Sequence, residues 1–76
     1  MTTFSAQPRT LSLFAQLRLA SGHTQGSLAA ASGVSKATIE RCDHGHVPSI
    51  PVARSIAQAL GIEDAFFVFP DLRETP

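Results

Sequence analysis

The chain has 76 residues, a formal net charge of zero at pH 7 and a single cysteine. A chain of this length builds one small core, and one cysteine cannot form an internal disulfide. No apolar run reaches the roughly 18 residues of a membrane span. The first ten residues, MTTFSAQPRT, lack the basic and apolar regions of a secretory signal. We therefore expect a single soluble domain in the cytoplasm that does not enter a membrane.

The zero net charge conceals an asymmetry along the chain. Residues 1–62 contain five basic and two acidic side chains, whereas residues 63–76 contain one basic and four acidic side chains. A basic body with an acidic end is compatible with a protein that binds nucleic acid on one side.

The first predicted helix follows Thr10, which can act as its N-cap after Pro8, and it ends before Gly22. Its repeat at spacings of three and four consists of Leu11, Phe14, Leu17 and Arg18. Residues 1–9 precede this helix, and we expect them to form a flexible N-terminal arm.

Two short helices are predicted next, one capped by Thr24 and one capped by Ser35 that runs to about His44. The turn between them contains Ser32 and Gly33, and so short a turn makes the two helices cross at a large angle. Ala29 is the small residue that lets the two backbones cross closely, and the residues that fill the angle are Leu28, Val34, Ile39 and Cys42. The opposite face of the third helix exposes Lys36, Ala37, Glu40 and Arg41.

A fourth helix is predicted after Ser49, with Pro51 in its first turn, and a short fifth helix at residues 64–68. The apolar stripe of the fourth helix consists of Ile50, Ala53, Ile56, Ala57 and Leu60. No segment alternates with the period of a strand, so the predicted fold class is all-α, with five short helices. We expect this domain to span residues 10–70 and a C-terminal tail to span residues 71–76.

From Leu17 to Phe67 the chain resembles the DNA-binding domain of phage repressors and Cro, of the xenobiotic-response-element (XRE) class of bacterial regulators. The matching segments are RLASGHTQGSLAAASGVSKATIERCDHG and PSIPVARSIAQALGI, in which many spaced positions agree in order. The resemblance implies a lambda-repressor-like fold with a helix-turn-helix at about residues 24–44.

Four positions depart from the family pattern. His23 and Ser32 stand where the family usually has apolar residues, and Asp43 is shorter than the usual glutamate. Ser27 replaces the Glu or Gln that would complete a capping box with Thr24, so we expect one hydrogen bond of that box to be lost.

In this family the third helix enters the major groove, and its first residues and those one turn later contact base edges. Carried over to this chain, the candidate base contacts are Ser35, Lys36, Ala37, Glu40 and Arg41. Arg41 can donate two hydrogen bonds to guanine, and Lys36 can reach the same acceptors. Glu40 can accept from a cytosine amino group or pair with Lys36 one turn earlier. Without the surrounding pattern, these charges would indicate an ordinary solvated helix face.

The resemblance also implies phosphate contacts and one structural ion pair. Gln25 matches the family position that holds a phosphate at the start of the second helix, where backbone N–H groups favour anions. The further candidates for phosphate contacts are Thr24, Thr38, His46 and Ser49. Arg18 and Asp43 stand at the family positions of an arginine and an acid that pair.

The segment CDHGH contains three side chains of metal-ligand type, Cys42, His44 and His46. Spacings of two on a helix point to different sides, and no second cluster completes a four-ligand site. The cysteine and the histidines also lack an orienting acid, so we expect no metal, no cofactor and no enzymatic activity. Cys42 is expected to be a small buried hydrophobic residue.

The C-terminal segment IEDAFFVFP is rich in large apolar residues. By spacing, Ile62, Phe66 and Phe69 can face the core together, which would leave Phe67 and Val68 pointing outward. Because soluble monomers avoid such a patch, we expect a homodimer centred on Phe67 and Val68. The alternative is that Phe67 folds back over the first helix.

Two functional hypotheses follow. The first is a sequence-specific transcriptional regulator, a repressor or autoregulator, that binds double-stranded DNA at a near-palindromic operator as a dimer. The second is a protein-binding module that keeps the helix-turn-helix scaffold, such as an antitoxin or antiactivator partner, and uses its apolar C-terminal end.

Overall fold

The computed structural model describes residues 12–72, which form five α-helices and no strand. The helices are α1 (Leu13–Ala20), α2 (Gln25–Ser32), α3 (Lys36–Asp43), α4 (Ile50–Ala59) and α5 (Ala65–Val68). The predicted all-α class and the number of helices are confirmed. None of the described helices is long and apolar enough to cross a membrane.

The start of α1 differs from the prediction. Its N-cap is Ser12, whose Oγ accepts a hydrogen bond from the backbone N–H of Ala15 at 3.1 Å. The same hydroxyl donates to the backbone oxygen of Cys42 at 3.2 Å, which ties the start of α1 to the end of α3. Thr10, the predicted cap, lies outside the described residues, as does the expected N-terminal arm at 1–9.

The start of α2 carries a complete capping box, so the bond expected to be lost at Ser27 is present. The N–H of Ser27 donates to Thr24 Oγ1, and the N–H of Thr24 donates to Ser27 Oγ, both at 2.9 Å. His23 Nδ1 lies 2.9 Å from the same Ser27 hydroxyl. A serine hydroxyl is thus long enough to close the box, and the histidine at position 23 adds a third polar contact.

We expect Ser27→Ala to lower the free energy of unfolding by about 0.5–1.5 kcal/mol, because the N–H of Thr24 loses its side-chain acceptor. For a domain of this size each kcal/mol lowers Tm by about 4–8 °C. Thermal unfolding followed by circular dichroism measures the change. Ser55→Ala in α4 is the matched control, since the Ser55 hydroxyl makes no hydrogen bond within residues 12–72. Equal Tm values for the two variants would contradict the prediction.

The turn between α2 and α3 depends on Gly33, which adopts a φ of +76°. Its N–H donates to the backbone oxygen of Ala29 at 2.9 Å and so ends α2. A residue with a Cβ is strained at this φ, whereas glycine is not. The chain can therefore reverse within a few residues and enter α3 with Ser35 as its N-cap.

The core lies among all five helices. Its largest fully buried side chains are Phe14, Leu28, Ile39, Cys42, Ile56 and Val68. Phe14 in α1 stacks on Phe69 after α5, with ring centroids 5.4 Å apart. Leu72 is also buried, although the sequence assigns it to the tail at 71–76. The packed part of the chain therefore extends past Pro70.

The orientation predicted for the C-terminal segment is wrong at two positions. Val68 is 1% exposed and packs in the core, whereas Phe66 is 43% exposed. The reason is the phase of α5, which begins at the N-cap Asp64 and buries Ala65 and Val68, three residues apart on one face. Phe67 does point outward, with 57% of its surface exposed, and therefore does not cover α1. Phe69 takes that place instead.

Candidate nucleic-acid interface

The two sides of α3 differ sharply in burial. Ile39 and Cys42 point into the core and are almost fully buried. The five side chains predicted to contact bases are all exposed; they are Ser35, Lys36, Ala37, Glu40 and Arg41. These residues therefore lie together on the solvent-facing side of α3 and at its N-terminal end.

The charged residues on this outer face are not paired with one another. Within residues 12–72, neither Lys36 nor Arg41 forms an ion pair or a side-chain hydrogen bond. The described residues therefore contain no ion pair between Glu40 and Lys36. An exposed lysine and an exposed arginine without side-chain partners keep their donors available for another molecule.

Ser35 and Thr38 are less available than the charged residues. Ser35 Oγ accepts from the N–H of Thr38 at 3.2 Å as the N-cap of α3, and it lies 2.9 Å from Thr38 Oγ1. The main contribution of Ser35 is therefore to begin the helix, and a contact with DNA would share a hydroxyl that is already bonded. Thr38 is half-buried.

An ion pair fixes the far end of α3. Arg18 donates from Nε to Asp43 Oδ1 at 3.2 Å and from Nη2 to Asp43 Oδ2 at 2.8 Å, which is the ion pair that the resemblance implies. Arg18 also donates from Nη1 to the backbone oxygen of His23 at 2.9 Å. Both side chains of the pair are 9% exposed. The guanidinium thus joins α1, the segment before α2 and the end of α3.

Gln25 takes part in the same cluster, which the sequence did not predict. Its Nε2 donates to Asp43 Oδ2 at 2.8 Å, so the first residue of α2 is bonded to the last residue of α3. The amide keeps a second N–H, which can still donate to a phosphate. Asp43 therefore accepts from two helices, and Gln25 is held at the place where the resemblance puts a phosphate contact.

The remaining phosphate candidates are Thr24, His46 and Ser49, and all three are exposed. Ser49 is the N-cap of α4 but makes no side-chain capping hydrogen bond. Its hydroxyl and the N–H groups of Ile50 and Val52 are thus available to an acceptor, whereas Pro51 has no N–H. The hydroxyl of Thr24 accepts from the N–H of Ser27, and its own O–H can still donate to a phosphate.

The segment CDHGH has no arrangement suited to metal. Burial, and after it the charge of the neighbouring Asp43 carboxylate, raises the pKa of the Cys42 thiol to about 11. The thiol is therefore protonated at neutral pH, whereas metals bind the thiolate. His44 and His46 are exposed while Cys42 is buried. Among the described residues, no group of three or more His, Cys, Asp or Glu side chains is placed to hold a metal ion.

Comparison with known proteins identifies the family. The model of a family described as a helix-turn-helix domain matches residues 12–65, which is more than half of the chain and includes α2, the turn and α3. Searches of curated proteins and of solved structures gave no significant match. The match is consistent with the resemblance to XRE-type regulators, which covers Leu17 to Phe67. This chain belongs to the helix-turn-helix domain family.

Proposed function

We propose that this protein is a sequence-specific DNA-binding transcriptional regulator, a repressor or autoregulator that binds a near-palindromic operator as a dimer. The observation that carries the proposal is the outer face of α3, where Lys36 and Arg41 are exposed and unpaired while the inner face is buried. Family membership supports the same function.

The proposed complex has α3 in the major groove. Arg41 donates two hydrogen bonds to the O6 and N7 of guanine, Lys36 reaches the same kind of acceptors, and the methyl group of Ala37 contacts a thymine methyl. Glu40 accepts from a cytosine amino group, since no partner within the described chain holds it. Gln25 and Ser49 contact phosphates, which set the register of the helix on the duplex but carry no sequence information.

Binding to genomic DNA fragments at low and at moderate salt tests the proposal. Because phosphate contacts release counterions, the affinity of a DNA-binding protein falls steeply as salt rises. Retarded bands at low salt that weaken at moderate salt support the proposal, and selection from a random duplex pool then gives the operator. No retarded band at either salt concentration, from a protein shown to be folded by circular dichroism, would contradict it.

We expect Gln25→Ala to weaken binding to all DNA sequences alike and also to lower stability. The loss of a hydrogen bond to the charged Asp43 should cost about 1.5–3 kcal/mol in the free energy of unfolding. Gln25→Met is the matched variant, because it keeps the chain length and removes the donor. Binding titrations on two unrelated duplexes, together with thermal unfolding, measure both effects. Unequal losses on the two duplexes would mean that Gln25 reads bases, and an unchanged Tm would mean that its bond to Asp43 does not stabilise the fold.

The second candidate function is a protein-binding module of the antitoxin or antiactivator type. It is favoured by the exposed Phe66 and Phe67 and by the zero net charge of the chain. Such a module would not need Lys36 or Arg41. It therefore predicts that substitutions on the outer face of α3 leave its activity unchanged.

A further inference from the structure

The start of α2 and the end of α3 meet at one carboxylate. Asp43 Oδ2 accepts from Gln25 Nε2 and from Arg18 Nη2, both at 2.8 Å, and Asp43 Oδ1 accepts from Arg18 Nε at 3.2 Å. The side chains of Asp43 and Arg18 are each 9% exposed, so water competes little for these bonds. The carboxylate that Gln25 contacts is therefore itself held in place by a guanidinium.

The bond to Asp43 fixes which end of the Gln25 amide faces the carboxylate. An ionised carboxylate only accepts hydrogen bonds, whereas a glutamine amide has one donating and one accepting end. Only the nitrogen end can face Asp43, because a half turn of the amide would set its oxygen against a negative charge. Within residues 12–72 the Gln25 side chain has no other partner. The carboxylate is therefore what holds the amide in this orientation.

The N-terminal end of α2 has further free donors. The backbone N–H groups of Gln25 and Gly26 make no hydrogen bond within residues 12–72, as is usual in the first turn of a helix. The second N–H of the Gln25 amide is also free once Asp43 holds the first. Two adjacent residues thus have three donors available for an anion.

We propose that Asp43 is a positioning residue for DNA binding, which keeps the Gln25 amide turned so that its second N–H donates to a phosphate. This inference rests on the proposed DNA-binding function and adds to it that the carboxylate acts through Gln25, without touching DNA. With the amide turned over, its oxygen would replace the donor and repel the phosphate. The positive charge of Arg18 offsets the charge of Asp43, so the carboxylate can hold the amide near a phosphate at little electrostatic cost.

The positioning effect of Asp43 and the effect of its charge have opposite signs. As a charge the carboxylate repels phosphates, so its removal alone would strengthen DNA binding. As a positioning group it supports the contact made by Gln25, so its removal would weaken DNA binding. Arg18→Met combined with Asp43→Leu removes one charge of each sign and leaves the net charge of the chain at zero. This charge-neutral double variant therefore isolates the positioning effect.

The test is a cycle of binding titrations on one random-sequence duplex at low salt, with every protein shown to be folded by circular dichroism. We expect Gln25→Met to raise Kd about fivefold or more in the parent but less than about twofold in the charge-neutral double variant, a coupling typical of residues in one hydrogen-bond network. The double variant itself should bind about fivefold or more weakly than the parent, although the two net charges are equal.

Nitrogen-15 relaxation of the Gln25 side-chain amide in the free parent protein tests the same orientation without any substitution. We expect an order parameter close to that of the α2 backbone, where rigid groups have values of about 0.85. A value below about 0.6, which is typical of flexible groups, would overturn the proposal.

The binding cycle separates this inference from the proposed function. Equal losses on Gln25→Met in the two backgrounds overturn the role of Asp43 but leave the phosphate contact of Gln25 intact. No loss in either background also overturns the inference, since Gln25 then contacts no phosphate, although the protein binds DNA. A folded parent that binds no duplex contradicts the proposed function and this inference with it.

Discussion

Arg18→Ala is expected to lower the free energy of unfolding by about 3–5 kcal/mol, the range for breaking one partner of a buried ion pair. Arg18 is 8% exposed and supplies two of the three hydrogen bonds that reach the Asp43 carboxylate within residues 12–72. Without it, Asp43 keeps the single amide donor of Gln25, and the backbone oxygen of His23 loses its guanidinium donor. A stranded carboxylate at 9% exposure cannot recover full hydration.

Thermal unfolding at one fixed protein concentration measures this effect, because dimerisation would make Tm depend on concentration. A loss of 3 kcal/mol corresponds to a decrease in Tm of more than about 10 °C in a domain of this size. Arg41→Ala is the matched control, since Arg41 is an exposed arginine whose side chain makes no hydrogen bond within residues 12–72. An Arg18→Ala protein that melts within a degree or two of the parent would show that the pair contributes little.

A second pair of variants separates the net contribution of the pair from the penalty of a stranded charge. Arg18→Met leaves Asp43 charged and poorly bonded, whereas Arg18→Met combined with Asp43→Leu removes both charges. Replacing a whole buried ion pair with apolar residues is often neutral or stabilising. We therefore expect the double variant to be more stable than Arg18→Met alone. The opposite order would mean that the bond from Gln25 stabilises Asp43 by more than the burial of its unpaired carboxylate costs.

The sequence was informative where one residue determines a local structure. The predicted N-caps Thr24, Ser35 and Ser49 occupy those positions. Short polar side chains are strongly preferred at the residue that precedes a helix. The burial of Ile39 and Cys42 on one side of α3 follows in the same way from helical spacing. The same spacing predicts that the five candidate base contacts are exposed on the opposite side of α3, as the structure has them.

The predictions that failed concern features that depend on three-dimensional distances or side-chain lengths, which the spacing of residues along the sequence does not give. The bond from Gln25 to Asp43 needs two helix ends to approach within reach of two side chains, which no local pattern encodes. The capping box at Ser27 was missed because the motif is defined by longer side chains. In α5, four helical residues are too few to define a periodicity. The prediction therefore places Phe66 in the core and Val68 at the surface, whereas the structure has the reverse. The N-cap Asp64 was the available signal for the correct phase.

The proposed recognition by α3 makes the sharpest functional prediction, which concerns Arg41. We expect Arg41→Ala to lose about 1–3 kcal/mol on the best site, roughly a five- to 150-fold loss of affinity, and to relax the choice of base at one position. The reason is that a guanidinium can bond both acceptors of one guanine, and no residue of the described chain competes for it.

Arg41→Lys is the variant that distinguishes base reading from simple attraction, because it keeps the charge and loses the two-pronged donor. If Arg41 reads a guanine, we expect the lysine variant to retain non-specific binding at low salt but to lose preference at that base pair. Selection from a random duplex pool with parent, Arg41→Lys and Arg41→Ala measures preference and affinity together. If the lysine variant keeps the parent's preference at that base pair, Arg41 contacts a phosphate and not a base. If Arg41→Ala and Gln25→Ala both leave DNA affinity unchanged, α3 does not enter the groove, and the protein-binding function, which the exposed Phe66 and Phe67 favour, takes precedence.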